Sequence, residues 1–292
     1  MNRPDLAALR RALPPSPRTR FAPAPTGYLH LGHVVNAVYV WGLARALDGR
    51  VLLRIEDHDR GRCRPEYDGA LLDDLAWLGL AADEGPVRQS ENAEVYGDRL
   101  AALARERQVF ACDCSRRGLG SGPYGGRCRT RRLAPGRGRG MRVALDPGLE
   151  RFEDALLGPQ TQEPSIQCGD LLVRDRNGNW TYQFAVVVDD LRQRVDLVIR
   201  GADLLDSTGR QLALARMLGG SAPIYLHHRL ILKPSGEKLS KASRDTGLRD
   251  LRAAGWTPRQ VLGEAAFRGG LMSQARPLTA AELPGLFTQA VA

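Results

Sequence analysis

The sequence contains no apolar run of about 18 residues, so no segment is long enough to form a membrane-spanning helix. The amino-terminal segment also lacks an apolar stretch of the signal-peptide type, which favours a cytoplasmic protein. Only five of the 292 residues are cysteine, too few for a disulfide scaffold in a chain of this size. This length is enough for about two domains with a substantial hydrophobic core.

Lysine is scarce, and its three copies are clustered. Lys233, Lys238 and Lys241 lie within one short segment, and every other basic residue is arginine or histidine. Lysine offers a compact, mobile ammonium and arginine a planar fork, so the cluster indicates a local need for ammonium groups. An arginine-biased composition could also produce it by chance. The net charge of +9 points weakly to a polyanionic partner such as nucleic acid.

Strands and helices alternate after an amino-terminal extension. Thr19–Ala22 is predicted to be a short strand that ends at Pro23, and Val51–Ile55 is a short apolar run typical of a buried parallel strand. Apolar residues with a period near 3.6 predict a helix from Val34 to Leu47, and further helices are expected near Glu66–Leu78 and Glu91–Arg107. This order predicts an α/β fold with a doubly wound parallel sheet of the Rossmann type.

The alternation stops after Phe110 and then resumes. Residues 115–140 are rich in arginine and glycine and cannot form a packed core unaided. Beyond them, Tyr182–Val188 and Val195–Ile199 are predicted strands, and Thr208 with Gln211 predicts a helix-capping box. The predicted divisions are an extension (1–17), two halves of one catalytic domain (18–110 and 181–245), an inserted domain (111–180) and a short helical segment (246–292).

Two short motifs carry candidate chemistry. His30-Leu31-Gly32-His33 begins the first long helix, where free N–H groups and the helix dipole favour a phosphate. Gly32 permits a close approach by a flat ligand. The segment Lys238–Ala242 carries two lysines that can neutralise charge developing on a triphosphate. Either motif alone is more often an ordinary surface feature.

Together, the motifs resemble the two signatures of class I aminoacyl-tRNA synthetases. Pro23–His33 resembles the first signature, and Lys238–Ala242 resembles the second, lysine-rich one. Three further blocks look like glutamyl-tRNA synthetases: Arg20–Gly27, Arg54–Asp57 and Val198–Leu205. The resemblance implies an enzyme that activates glutamate with ATP and Mg²⁺.

The resemblance also implies roles for particular residues. His30, His33 and Lys241 would be catalytic, stabilising the triphosphate during adenylate formation. The implied ATP-binding residues are His30, Gly32, His33, Lys238, Ser240 and Lys241. Arginine forks suit the two carboxylates of glutamate, and a carboxylate suits its ammonium group. The implied glutamate-binding residues are Arg20, Ala22, Ala24, Glu56, Tyr182 and Arg200.

The arginine-rich insertion contains Cys112, Cys114 and Cys128. Three thiolates suit zinc, which takes four ligands in a structural site, but the spacing alone leaves a metal site undecided. The pattern resembles that of the glutamyl-queuosine tRNA(Asp) synthetase family, in which a tyrosine completes the ligand set. This resemblance implies Tyr124 as the fourth ligand of one structural zinc per chain.

The 51 residues after Lys241 are too few for the anticodon-reading domain of a glutamyl-tRNA synthetase. The resemblance to glutamyl-queuosine tRNA(Asp) synthetases then implies transfer of activated glutamate to queuosine in tRNA(Asp), and we expect a cytoplasmic monomer without membrane contact. The run Arg116–Arg139 either contacts tRNA phosphates or is a solvated loop. One alternative is a truncated or discriminating glutamyl-tRNA synthetase that charges a 3′ end. Another is a non-catalytic, zinc-containing RNA-binding module.

Overall fold

The computed structural model describes residues 3–59, 61–106, 109–115, 122–231 and 247–288. The strands are β1 (Arg18–Phe21), β2 (Arg50–Ile55), β3 (Glu84–Arg88), β4 (Val109–Cys112), β5 (Gly140–Val143), β6 (Glu150–Asp154), β7 (Gly158–Gln162), β8 (Leu171–Arg174), β9 (Leu197–Gly201) and β10 (Ile224–His228). The helices are α1 (Leu6–Ala12), α2 (Leu31–Ala46), α3 (Pro65–Leu78), α4 (Ala93–Glu106), α5 (Pro164–Gln167), α6 (Tyr182–Arg192), α7 (Thr208–Met217), α8 (Leu248–Ala253), α9 (Pro258–Arg268) and α10 (Gly285–Thr288). Within these ranges, no helix combines the length and the apolar character needed to cross a membrane.

Seven strands form one sheet in the order β3-β2-β1-β9-β10-β6-β7. The pairs from β3 to β6 are parallel, and β7 closes the edge as the antiparallel partner of β6. The chain leaves β1 for β2 on one side and returns to β9 on the other. This reversal creates a crevice at the carboxyl ends of β1 and β9, the usual ligand site of an open α/β sheet. The predicted α/β fold with a parallel sheet is confirmed.

Helix α2 is buried on almost every side, because the sheet covers one face and the carboxyl-terminal helices cover another. Val38 and Leu43 have no exposed surface. The Tyr39 hydroxyl donates to the Gly269 carbonyl at 2.9 Å, and the Tyr39 ring meets Phe287 edge-on at 5.6 Å. Residues far along the chain thus fix the helix whose amino end carries the two motif histidines.

The inserted region has its own antiparallel sheet, in the order β4-β5-β8. Val143 and Val173 from this sheet share an apolar cluster with Tyr96 on α4 and Phe184 on α6. The hairpin β6–β7 lies within the range 111–180, yet it belongs to the large sheet, where β6 pairs with β10. The domain divisions therefore stay a prediction, and this hairpin extends the catalytic sheet.

Two local expectations from the sequence are wrong. Tyr182–Val188 is the first part of helix α6 and not a strand. Its apolar run is buried almost all round, and a short run of this kind has no periodicity that separates a strand from a buried helix. The capping box of Thr208 and Gln211 is absent from α7: Ser207 precedes the helix without a capping bond, and Gln211 instead accepts a hydrogen bond from Arg200.

Candidate functional site

A cavity of about 450 Å³ opens at the carboxyl ends of the central strands. It collects residues from β1, β9 and the end of β10, Glu56 directly after β2, and the starts of α2 and α6. The sequence-predicted residues that line it are Arg20, Ala22, Ala24, His30, Gly32, His33, Glu56, Tyr182 and Arg200. Lys238, Ser240 and Lys241 lie outside the described residues. The structure thus brings the described members of both predicted binding sets into one cavity.

His30 and His33 cap the amino end of α2 reciprocally. The backbone N–H of Gly32 donates to His30 Nδ1, and the backbone N–H of His30 donates to His33 Nδ1, both at 3.1 Å. Because each Nδ1 accepts, the proton of each neutral ring lies on Nε2. A Cβ on Gly32 would lie 2.9 Å from the His30 ring, so glycine is needed for this arrangement. The motif presents two imidazole N–H donors beside a helix amino terminus, a combination suited to phosphate.

A buried charge network includes two residues that line the cavity, Arg20 and Glu56. Asp190 on α6 accepts from Arg54 Nη1 at 2.7 Å and from Arg20 Nε at 3.3 Å. Arg54 also donates to Glu56 Oε1 at 3.1 Å. Burial alone would raise the pKa of Asp190, but the charges of Arg54 and Arg20 hold it below its usual value. Asp190 therefore stays ionised and orients two arginines, of which Arg20 lines the cavity.

The guanidinium of Arg200 is fixed by several hydrogen bonds to neighbouring residues. Its Nε donates to His227 Nε2 at 2.9 Å, and Nη1 donates to Gln211 Oε1 at 2.7 Å. Its Nη2 donates to Thr208 Oγ1 at 2.9 Å and to the Leu204 carbonyl at 3.3 Å. Among the described residues, these bonds leave one N–H of Nη1 without a partner. Arg200 can therefore offer a ligand one N–H in this conformation.

Several cavity residues were missed by sequence reasoning. Asn36 and His228 both line the cavity, and His228 Nε2 lies 3.1 Å from Asn36 Oδ1. Burial lowers the pKa of His228 to about 4, so its ring is neutral near pH 7. His227 and Asp154 lie behind Arg200. The two adjacent histidines at the end of a predicted strand could have indicated His227 and His228 as site residues. No sequence pattern indicates Asp154.

The inserted region holds a cluster with metal-binding chemistry. The Sγ atoms of Cys112, Cys114 and Cys128 all lie within 4.8 Å of one another. Cys114 and Cys128 are 3.7 Å apart at Sγ, and the Tyr124 hydroxyl lies 3.7 Å from Cys112 Sγ. A tetrahedral zinc with Zn–S bonds of about 2.3 Å has S···S edges of about 3.8 Å. The three-cysteine cluster is consistent with a zinc site.

Arg142 places a positive charge beside Cys112 and Tyr124. Arg142 Nε donates to Cys112 Sγ at 3.4 Å, and its guanidinium lies 3.8 Å from the centre of the Tyr124 ring. Gly169 has a φ of +64°, and a Cβ there would lie 2.0 Å from the Tyr124 carbonyl oxygen. Because Tyr124 and Gly169 form a β-bridge, this glycine fixes the tyrosine beside the thiols. Few other buried apolar residues support this region.

Comparisons with known proteins agree with this site. The family model for tRNA synthetases class I (E and Q), catalytic domain, matches residues 17–121 and 130–282. Glutamyl-Q tRNA(Asp) synthetase of Symbiobacterium thermophilum is 41% identical, with 92% of this chain and 91% of that protein covered. The enzyme of the same name from Nitratidesulfovibrio vulgaris is 38% identical, with 94% and 92% covered.

Longer synthetases match as well. Glutamate–tRNA ligase 1 of Acidithiobacillus ferrooxidans is 40% identical, but the match covers only 56% of that protein. The crystal structure of a glutamate-tRNA synthetase from Elizabethkingia anophelis superposes with a TM-score of 0.78 at 25% identity, over 92% of this chain and 65% of that one. The family resemblance drawn from the sequence motifs is confirmed. The chain belongs to the class I glutamyl- and glutaminyl-tRNA synthetase catalytic-domain family, and within it to the glutamyl-Q tRNA(Asp) synthetases.

Proposed function

We propose that this protein activates L-glutamate with ATP and transfers it to the queuosine base in the anticodon loop of tRNA(Asp). The observation that carries the proposal is the single cavity that joins two buried arginines, a glutamate and two histidines at the amino end of α2. The high coverage of relatives with this name supports the tRNA partner and the acceptor base. Class I membership supports ATP as the second substrate.

Glutamate would bind between the two arginines and Glu56. Arg20 has only two bonds to the described protein, from Nε to Asp190 and a long one from Nη1 to the Ile199 carbonyl. It therefore retains enough outer N–H groups for a two-point clamp on one carboxylate. Arg200 would add a single bond. Glu56 would take the ammonium group, and Tyr182 would offer its hydroxyl, which burial keeps protonated by raising its pKa.

Activation needs positioning and charge stabilisation and no protein nucleophile. The α-carboxylate of glutamate attacks the α-phosphorus of ATP, and pyrophosphate leaves. His30 and His33 would donate from Nε2 to phosphate oxygens, aided by the amino terminus of α2. Ala22, Ala24 and Gly32 leave room for the substrates. Lys238, Ser240 and Lys241 stay predicted ATP ligands, with Mg²⁺ as the accompanying cation.

The metal site would serve structure. Cys112, Cys114, Cys128 and Tyr124 would hold one zinc ion, and the bound ion would fix a region that has little hydrophobic core.

The arginine-rich run Arg116–Arg139, of which 122–139 is described, would approach tRNA phosphates. In the second step, a hydroxyl of queuosine attacks the carbonyl of glutamyl-adenylate, and AMP leaves. We propose a monomer as the active form.

The test compares four tRNA substrates with labelled glutamate and ATP. These are tRNA(Asp) with queuosine, tRNA(Asp) without it, tRNA(Glu), and tRNA(Asp) with queuosine but lacking its 3′-terminal adenosine. We expect labelling of the two queuosine-containing forms only. Labelling of tRNA(Glu) alone would favour a truncated glutamyl-tRNA synthetase. A protein that neither labels any tRNA nor exchanges pyrophosphate into ATP with glutamate would be a non-catalytic RNA-binding module.

A further inference from the structure

A buried chain of polar groups runs from the edge hairpin of the sheet to the substrate cavity. Asp154 ends β6, His227 lies on β10, and Arg200 lies on the neighbouring β9. His227 Nδ1 is 2.6 Å from Asp154 Oδ2, and His227 Nε2 is 2.9 Å from Arg200 Nε. The Asp154 and His227 side chains have no exposed surface. Neither can act on substrate directly, but both can act through Arg200.

The proton on His227 can be placed by counting donors and acceptors. The guanidinium is only a donor, so His227 Nε2 must accept the hydrogen bond from Arg200. His227 Nδ1 must then carry the ring proton, which it donates to Asp154. Burial and the charge of Arg200 lower the pKa of His227, which keeps the ring neutral near pH 7.

Asp154 is itself fixed by its backbone surroundings. Its Oδ1 accepts from the backbone N–H of Leu156 at 3.1 Å, of Leu157 at 2.9 Å and of His227 at 3.3 Å. These bonds hold one oxygen in the turn of the β6–β7 hairpin and aim the other at His227. The hairpin pairs with β10 at Asp154 and Tyr225, so the sheet edge sets the position of the carboxylate.

The arrangement determines the plane of the Arg200 guanidinium. With Nε on His227, and the Nη atoms on Gln211 and Thr208, the group cannot rotate without breaking several buried bonds. The N–H of Nη1 that has no partner among the described residues keeps one direction as a result. A donor with a fixed direction favours a substrate with an acceptor at one place, which is how a buried polar site discriminates between ligands.

We propose that His227, in the tautomer imposed by Asp154, is the positioning residue that aims Arg200 at a carboxylate of the amino-acid substrate. The assignment of that substrate as glutamate rests on the proposed function. The tautomer and the orientation of Arg200 do not depend on it. His227 is a positioning residue and takes no part in the chemistry.

Two variants of similar shape test the two hydrogen bonds of His227, to Asp154 and to Arg200, one at a time. The amide of His227→Asn can still donate to Asp154 but presents nothing to Arg200, whereas the amide of His227→Gln reaches Arg200 and loses Asp154. In glutamate-dependent exchange of pyrophosphate into ATP, we expect His227→Asn to raise the KM for glutamate about tenfold, the effect of one lost charged hydrogen bond. The KM for ATP and kcat should stay within about twofold. His227→Gln should recover most of the glutamate KM.

The outcomes are distinct. Equal damage by both variants, or a rise in both KM values together, would mean a purely structural role and would overturn the proposal. Wild-type protein without glutamate-dependent exchange would refute the proposed function. In that case, ¹⁵N NMR of the histidine rings in the wild-type protein still decides the tautomer. A protonated Nδ1 and an unprotonated Nε2 on His227 are expected, and the opposite tautomer or a doubly protonated ring at pH 7 contradicts the inference.

Discussion

Replacing Arg54 with methionine is expected to lower the free energy of unfolding by about 3–5 kcal/mol, the usual effect of removing one partner of a buried ion pair. Arg54 is completely buried. It donates to Asp190 at 2.7 Å, to Gln193 Oε1 at 2.9 Å and to Glu56 at 3.1 Å. Methionine fills much of the same space, so the loss is mainly electrostatic. Asp190 would be left with the longer bond from Arg20 as its compensation.

The expected loss of unfolding free energy can be expressed as a change in melting temperature. An unfolding entropy of about 2.1 cal/mol/K per residue gives about 0.6 kcal/mol/K for a chain of this length. A destabilisation of about 3–5 kcal/mol then lowers Tm by about 5–8 °C. Calorimetry at pH 7 with constant zinc measures this directly. Arg62→Met is a matched control, because Arg62 is 74% exposed and its pair with Asp59 contributes about 0–1 kcal/mol.

A double-mutant cycle identifies the cause. Asp190→Asn alone should also destabilise, because it leaves Arg54 buried with less compensation. The double variant Arg54→Met/Asp190→Asn should be more stable than the sum of the two single effects predicts, by about 1.5 kcal/mol or more. Additive single effects, or an Arg54→Met variant within about 1 °C of the wild type, would refute the electrostatic reasoning.

Three further predictions follow from the same structure. Gly169→Ala should speed zinc loss to a chelator at least tenfold, because its Cβ would lie 2.0 Å from the Tyr124 carbonyl oxygen. The control Gly219→Ala, also at positive φ but with nothing within 4 Å of the added Cβ, should leave the rate of zinc loss unchanged. His30→Ala and His33→Ala should each lower kcat for pyrophosphate exchange about 100-fold, as loss of a transition-state donor does, with little change in the KM for glutamate. His228 should make stability fall by about 1.6 kcal/mol between pH 6.5 and 5, since its folded pKa of about 4 lies below the unfolded value of about 6.5. Stability from this group is complete above pH 6.5 and is lost as pH falls toward 4; urea titrations should show a weaker dependence in His228→Asn.

The sequence predicted best those parts of the site that are local in the chain. The strand, turn and helix that carry Arg20, Gly32 and His33 are contiguous, so one motif specified both the fold and the residues. Glu56 directly follows β2, and its position at the carboxyl edge follows from parallel pairing. The strand pattern therefore predicts that Glu56 lies at this edge of the sheet, and the family resemblance singled it out as a binding residue.

The parts that sequence reasoning missed depend on contacts between distant segments. Asp190 lies on α6, which was predicted as a strand over Tyr182–Val188 because its valines favour strands. Asp154 reaches His227 only because the β6–β7 hairpin joins the large sheet. Gly169 supports Tyr124 across a β-bridge that no local sequence pattern predicts. Pairing between remote strands places these residues, and a single sequence carries no signal for it.

The most direct test of the central claim is the position of labelled glutamate on tRNA(Asp) that contains queuosine. After reaction, ribonuclease digestion separates the anticodon-loop fragment from the 3′-terminal fragment. The account predicts label on the anticodon-loop fragment that carries queuosine, and none on the same fragment from tRNA without that base. Label on the 3′-terminal adenosine instead would contradict it and identify a synthetase that charges the 3′ end.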